Sequence, residues 1–316
     1  MPNLARFTLL CTCVSALLLC PACQNPTPPA DAPEMRTNVR LAKRNAANEF
    51  VEDSVFTRAE DHIEQILPAI YQNEGPAWEN ENIGFRMYFD RRNGLDIHGK
   101  KVRDMVLDTV GLDRNNYHAM ADWGMDVLKV GNSLGAGGIA LLVGDSIYRL
   151  GDVAKETVRI TEESPERSSF RVDYQGWEVA GRTLDLTWAF SIAAGTHHYE
   201  SAVTATGLRG DEQLVIGIVN LHSDTLYTLE QDGRFVMYTH GPQAELEHYL
   251  GMALSLERGD YLRHGALGPE EQPVSSTYYV VARLREGLPT GYRFTAGWAP
   301  GHPAFIERAA FQEVIR

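Results

Sequence analysis

The sequence predicts an all-β protein, a large antiparallel β-sandwich with few short helices. Three observations carry that prediction. Apolar and polar residues alternate in run after run beyond residue 36, which is the period of a strand with one face in a core. Turn residues separate those runs at intervals of 10–15 residues, the spacing of a sandwich rather than of a βαβ fold. Segments with helical periodicity are scarce.

The elements follow in chain order. Residues 83–89 put Ile83, Phe85, Met87 and Phe89 on one face and Gly84, Arg86 and Tyr88 on the other. Residues 169–174 and 183–190 alternate in the same way. Further strands are expected at 139–150, 155–163, 199–207, 212–221, 225–231, 234–239, 249–256, 274–285 and 291–298. Turn signals stand at Asn93-Gly94, Arg209-Gly210-Asp211 and Pro289-Thr290-Gly291. Asp232-Gly233, between two runs, predicts a two-residue hairpin. Residues 304–315 predict a closing helix with Phe305, Ala309 and Ile315 near one side. Residues 56–70 are ambiguous, and Pro68 limits any helix there. One domain is expected over 36–316.

The N-terminus reads differently. Residues 1–22 carry one charge, Arg6, ahead of a short apolar run, the pattern of an export signal. All four cysteines lie at 11, 13, 20 and 23, so the body has no disulfide, zinc-cysteine site or cysteine nucleophile. Cys23 follows Pro21-Ala22, and the segment resembles a bacterial lipoprotein signal with Cys23 as its lipidated residue. Simple cleavage near Ala22 is the alternative. Residues 23–35 then form a Pro-rich tether. The expected location is the periplasm or outer membrane, with membrane contact only through the lipid anchor.

The chain has 29 Lys+Arg against 42 Asp+Glu, a net charge of −13. That balance argues against nucleic acid as a partner but is compatible with a local basic pocket. No P-loop, dinucleotide-binding fingerprint, GxSxG elbow or HExxH helix is present, so no cofactor is expected. His197-His198 looks like a metal pair, but neighbours on a strand face opposite ways.

Most of the chemical information lies in 75–138. On strand geometry, Arg86 and Tyr88 share a face, as do Asp96, His98 and Lys100, while Leu95 and Ile97 point inward. If the two strands pair, Arg86, Tyr88, Asp96 and His98 line one polar floor, with Trp78 and Trp123 as stacking platforms for a sugar. The same residues can instead form a structural ion network. Arg86 then pairs with Glu79 or Glu81 at the surface, His98 is an exposed strand residue, and Tyr117-His118 caps a loop. Asp122 and Asp126 then stabilise turns, and Lys129 is solvated. A divalent cation on Asp122 and Asp126 is a further metal alternative left open. The glycines at 131, 135, 137 and 138 read as sharp bends and close backbone approach rather than a phosphate cradle.

The run Ala77-Trp78-Glu79-Asn80-Glu81-Asn82-Ile83-Gly84-Phe85-Arg86-Met87-Tyr88, with Gly94-Leu95-Asp96-Ile97, Tyr117-His118, Gly124, Asp126, Lys129-Val130-Gly131, Gly135 and Gly137-Gly138, resembles the signature of domain-of-unknown-function family 4861. The chain departs from that signature at Asp122-Trp123 and Ala136. The resemblance implies an exported protein of a bacterial polysaccharide-utilisation system. It also implies a supersandwich akin to polysaccharide lyases and mutarotases, and in one branch an oligosaccharide dehydratase acting on ulvan fragments.

Such an enzyme removes the C5 proton of a uronate, neutralises its carboxylate and protonates the departing C4 oxygen. The expected roles follow. Arg86 or Lys129 binds the carboxylate, Tyr117 and His118 are the acid/base pair, and His98 is a reserve base. Glu79, Tyr88, Asp96 and Asp126 orient these groups or bind sugar hydroxyls, with Trp78 and Trp123 beneath the ring. A tethered glycan-binding protein without catalysis and a glycoside hydrolase using Glu79 with Asp126 are the alternatives. The exact sugar and the oligomeric state stay open.

Overall fold

The computed structural model describes residues 34–59, 69–112, 117–151, 153–223 and 225–316. The export signal, Cys23, the linker up to residue 33 and Pro68 lie outside the described residues.

One layer of the sandwich is a nine-stranded antiparallel sheet. Its order is Tyr227–Gln231, Arg234–Gly241, Leu250–Glu257, Thr290–Trp298, His198–Thr206, Arg182–Ala193, Arg167–Val179, Val153–Glu163 and Val55–Ala59. The other layer consists of two five-stranded antiparallel sheets. The first runs Thr37–Arg40, Ala77–Asn80, Ile83–Met87, Leu95–Lys100, Gly124–Asp126. The second runs Ser146–Arg149, Ala136–Val143, Glu212–Val219, Thr277–Arg283, Tyr261–Leu267. A parallel bridge between Leu95 and Gly135 joins them. The all-β sandwich expected from alternation is therefore the observed architecture.

The inward residues of all three sheets meet in one core. Trp78 and Phe85 stack at 5.7 Å, and Trp78 packs against Phe170, Phe190 and Tyr199 of the nine-stranded sheet at 5.0–5.4 Å between centroids. Aromatic residues bury the most area per side chain, and each buried ring adds about 1.5–3 kcal/mol of transfer free energy. Tyr199 and Tyr292 spend their hydroxyls on the carbonyls of Ala136 and Gly137, both at 2.7 Å. Gly137 has φ +94°, and a Cβ there would lie 2.3 Å from the Tyr199 hydroxyl, so close backbone approach is what the glycine run provides.

Several expectations are refined. The 139–150 run is a hairpin of two strands, Ala136–Val143 and Ser146–Arg149, because Gly144 takes φ +58° and turns the chain. Asp232 and Gly233 have φ +51° and +77° and join paired Gln231 and Arg234, the two-residue turn expected. The ambiguous stretch begins as a strand, Val55–Ala59. Strands at Thr37–Arg40, Ala42–Arg44, Phe50–Glu52 and Tyr261–Leu267 are too short or too exposed to show alternation. The closing segment is a 3-10 turn, Pro303–Ile306, and a helix, Arg308–Val314. Phe305 and Phe311 fill its inner side, and Ala309 is exposed, not inward.

Candidate functional site

The site is built on the strands Ile83–Met87, Leu95–Lys100 and Gly124–Asp126. Arg86 stands opposite Asp96, and His98 opposite Asp126. Side chains directly opposite on a sheet face are neighbours, so register alone brings Arg86, Asp96, His98 and Asp126 together.

Arg86 is 1% exposed and donates to six acceptor contacts. Asp96 Oδ2 receives Nε at 3.1 Å and Nη2 at 2.7 Å. Asp126 Oδ2 and the Tyr88 hydroxyl receive Nη2, both at 2.8 Å. Glu74 Oε1 and the Tyr117 hydroxyl receive Nη1 at 3.3 and 3.1 Å. The Tyr88 hydroxyl donates onward to Asp96 at 2.7 Å. With its five N–H groups engaged, Arg86 has none left for a substrate carboxylate. The expectation that it binds one is corrected: it organises the groups around it.

His118 sits where this network meets solvent. Its side chain is 63% exposed, and Nδ1 donates to Asp126 Oδ2 at 3.1 Å. That bond fixes the tautomer and leaves Nε2 as the basic nitrogen. The Tyr117 ring lies beside it, 4.6 Å between centroids. The hydrogen bond to Asp126 raises the His118 pKa above the usual histidine range. Burial raises Tyr117 and keeps its phenol protonated. Burial and the charge of Asp126 push Asp96 up to about 7. Asp126 is also penalised by burial, but Arg86 and His118 outweigh that penalty and hold it below the ordinary carboxylate range.

Other expected site residues go elsewhere. Trp78 is 1% exposed within the aromatic core and is no sugar platform. Glu79 is fully buried; it pairs with Lys100 and accepts the backbone N–H groups of Val106 and Leu107 at 2.8 Å. This removes the Glu79–Asp126 pair that a hydrolase would need. Asn80 donates to the carbonyls of Ala193 and Thr196 at 2.8 and 2.9 Å, tying the Glu79-Asn80-Glu81 run to the opposite layer. His98 is wholly buried, with the Tyr117 and Trp123 rings at 6.2 and 6.0 Å. Burial pushes its pKa down to about 3, so it is neither an exposed strand residue nor a base within reach of substrate. Tyr88 is buried between the guanidinium groups of Arg86 and Arg92, at 4.6 and 3.8 Å from its ring. Trp123 is half-buried at the rim. Lys129 is exposed and outside the hydrogen-bonded cluster, and Asp122 is exposed apart from buried Asp126. Among the described residues no group of three or more His, Cys, Asp and Glu side chains is arranged to hold a metal.

Sequence reasoning missed Glu74, which reaches Arg86, Tyr117 and, at 2.6 Å, Arg92. Asn73 and Glu74 both adopt left-handed φ, +55° and +61°, a conformation that costs about 1–3 kcal/mol per non-glycine residue and swings Glu74 under Arg86. The Asn-Glu-Gly-Pro turn at 73–76 was the available signal.

Fold and site together define a two-layer antiparallel β-sandwich protein with a buried Arg–carboxylate–Tyr network and an Asp–His pair at its rim. Residues 23–316 match the profile of domain-of-unknown-function family 4861, and the chain belongs to that family. It is 24% identical over 200 residues to uncharacterized protein P7 of Formosa agariphila, a match covering 58% of this chain and 49% of that protein; the match thus spans about half the length of that curated relative. Among solved structures, a candidate aldose 1-epimerase from Klebsiella pneumoniae is similar at a TM-score of 0.38 and 10% identity, over 88% of this chain and 95% of that one. An α-mannosidase from Enterococcus faecalis is similar at 0.39 and 11%, over 88% and 40%. Likenesses this distant carry no inference about activity.

Proposed function

We propose that this protein is a sugar-processing enzyme that carries out elimination on uronate-containing oligosaccharides, with His118 and Tyr117 as its proton-transfer pair. The observation that carries the reading is the exposed His118 held by buried Asp126 beside Tyr117, with Arg86 behind both. An oriented imidazole with a raised pKa next to a protonated phenol is a base and an acid within one substrate's reach. The motif resemblance directs the substrate class to acidic sugars.

In this reading His118 Nε2 takes the proton from C5 of the uronate. The C5–H electrons form the C4–C5 double bond, the C4–O bond breaks, and the departing oxygen takes the Tyr117 proton. It leaves as water from a terminal unit, or as a sugar hydroxyl if the chain is cut. The N–H that Arg86 gives Tyr117 favours the resulting phenolate. Lys129, exposed and clear of the network, is the candidate for the substrate carboxylate. Export and anchoring at Cys23 would place this activity on polymers outside the cytoplasm.

The test is incubation with a panel of uronate-containing oligosaccharides, read by mass spectrometry and by the ultraviolet absorbance of a conjugated uronate. Loss of one water supports dehydration, and shortened chains with an unsaturated end support lyase cleavage. Wild-type rates in both His118→Ala and Tyr117→Phe, or saturated products of hydrolysis, would overturn the assignment.

A further inference from the structure

The nine-stranded sheet turns one face to the main core. On its other face the C-terminal segment packs over Arg234–Gly241 and Leu250–Glu257, and the strands between Val153 and Thr206 alternate buried with solvent-facing residues. Register arranges that outer face into rows running across the strands. One row is Arg159, Arg171, Ala189, Ala202 and Gly291, each paired with the next. Three of its five members are very small, so the row is a low floor. On one side stand Thr157, Asp173, Thr187 and Thr204, again paired in sequence. On the other stand Ser169, Ser191, Glu200 and Arg293. The result is a trough of two adjoining hollows of about 520 and 450 Å³ that share Arg171. Four strand spacings make it about 19 Å long.

Its chemistry differs from the rest of the molecule. The lining holds six cations, Lys155, Arg159, Arg167, Arg171, Arg234 and Arg293, against the four carboxylates of Asp173, Asp185, Glu200 and Glu257, on a chain of net charge −13. The ion pairs there are partly solvated: Arg171 lies 3.1 Å from Asp173 and Arg293 3.1 Å from Glu200, with the arginines 46% and 30% exposed. Exposed pairs of this kind hold each other only weakly, so a ligand can take over either partner. Arg293 Nε is buried without an acceptor among the described residues.

We propose that this trough is a second binding site, separate from the His118 centre, that takes an extended strand of acidic polysaccharide. Its arginines would meet carboxylate or sulfate groups, and its threonine, serine and carboxylate walls would meet sugar hydroxyls. Nucleic acid fits less well. It presents one charge about every 1.7 Å of duplex, against a small local excess of cation, and single strands need outward aromatic platforms, whereas Phe170, Phe190 and Tyr292 of these strands are buried. The proposal does not depend on the reaction assigned to His118.

The test measures binding of the full chain to polygalacturonate, dextran and single-stranded DNA by affinity electrophoresis and calorimetry. Polygalacturonate should bind in a salt-sensitive way, and dextran and DNA should bind at least tenfold more weakly. Arg159→Ser with Arg171→Ser should weaken polygalacturonate binding at least tenfold while leaving turnover of short substrates unchanged. Ala202→Phe, which fills the floor without touching charge, should do the same. His118→Ala should bind like the wild type. Absence of polygalacturonate binding, equal binding of dextran or DNA, unaltered binding in both trough variants, or loss of binding in His118→Ala would overturn the proposal.

Discussion

Replacing Arg86 with methionine tests the electrostatic logic of the site most directly. The substitution keeps an unbranched side chain only as far as the position of Nε and removes the charge and its six hydrogen bonds. Asp96 and Asp126 are left with side chains 1% and 3% exposed and no guanidinium between them. Removing one partner of a buried ion pair costs about 3–5 kcal/mol. For a domain of this size, at roughly 2–4 °C per kcal/mol, Tm should fall by about 6–20 °C.

The loss should depend on pH. In the wild type Asp96 already sits at about 7 through burial and the charge of Asp126, whereas Asp126 is held low against its burial by Arg86 and His118. Without Arg86 both carboxyls rise. A group whose folded pKa exceeds its unfolded value contributes stability that is fully present below the unfolded pKa and is lost as pH rises through the folded one. The variant's deficit should therefore be largest near neutrality and above, and should shrink as pH falls toward the unfolded carboxylate range of about 4. Urea unfolding at about pH 7.5 and about pH 4.5 measures both quantities. A deficit below about 1 kcal/mol near pH 7.5, or one equal at both pH values, would refute the reasoning.

Three further outcomes are expected. His118 should titrate by NMR above the ordinary histidine value of about 6.5, and Asp126→Asn should lower it; kcat/KM should fall as pH drops through that pKa, because the base becomes protonated. His118→Ala should lower turnover by about 10²–10⁴ while costing no more than about 1 kcal/mol of stability, the worth of an ion pair with one exposed partner, and denaturation with kinetics separates the two. Trp78→Ala should cost about 3–5 kcal/mol and Glu79→Ala a similar amount, by leaving Lys100 buried and unpaired; in both, KM of the protein that remains folded should be unchanged.

The strands were legible where one face is buried, because alternation records burial directly. Ile83–Met87, Arg167–Val179 and Arg182–Ala193 announce themselves this way, and Asp232-Gly233 fixes its hairpin by turn chemistry. Short strands such as Phe50–Glu52, partly or largely exposed, leave no such record. The shared face of Arg86, Tyr88, Asp96 and His98 was legible too, since residues two apart on a strand face the same way. How deeply that face is buried was not. The strand Leu95–Lys100 is buried on both sides, which turned the expected sugar floor into an internal ion network and made His98 inaccessible. The Glu79-Asn80-Glu81 run, the most distinctive string in the chain, is buried, and Asn80 ties it to the opposite layer.

The sequence by itself determined the fold class, the absence of cysteine chemistry from the body and the residue types gathered between 75 and 138. These depend on local period and composition, which any chain segment displays. Only the tertiary structure decided which of those side chains reach solvent, that Arg86 is saturated by its own neighbours, that Glu74 joins it, and that distant strands align their small and basic residues into one trough. Exposure and partnership are set by what packs above a residue, and that comes from parts of the chain far away in sequence.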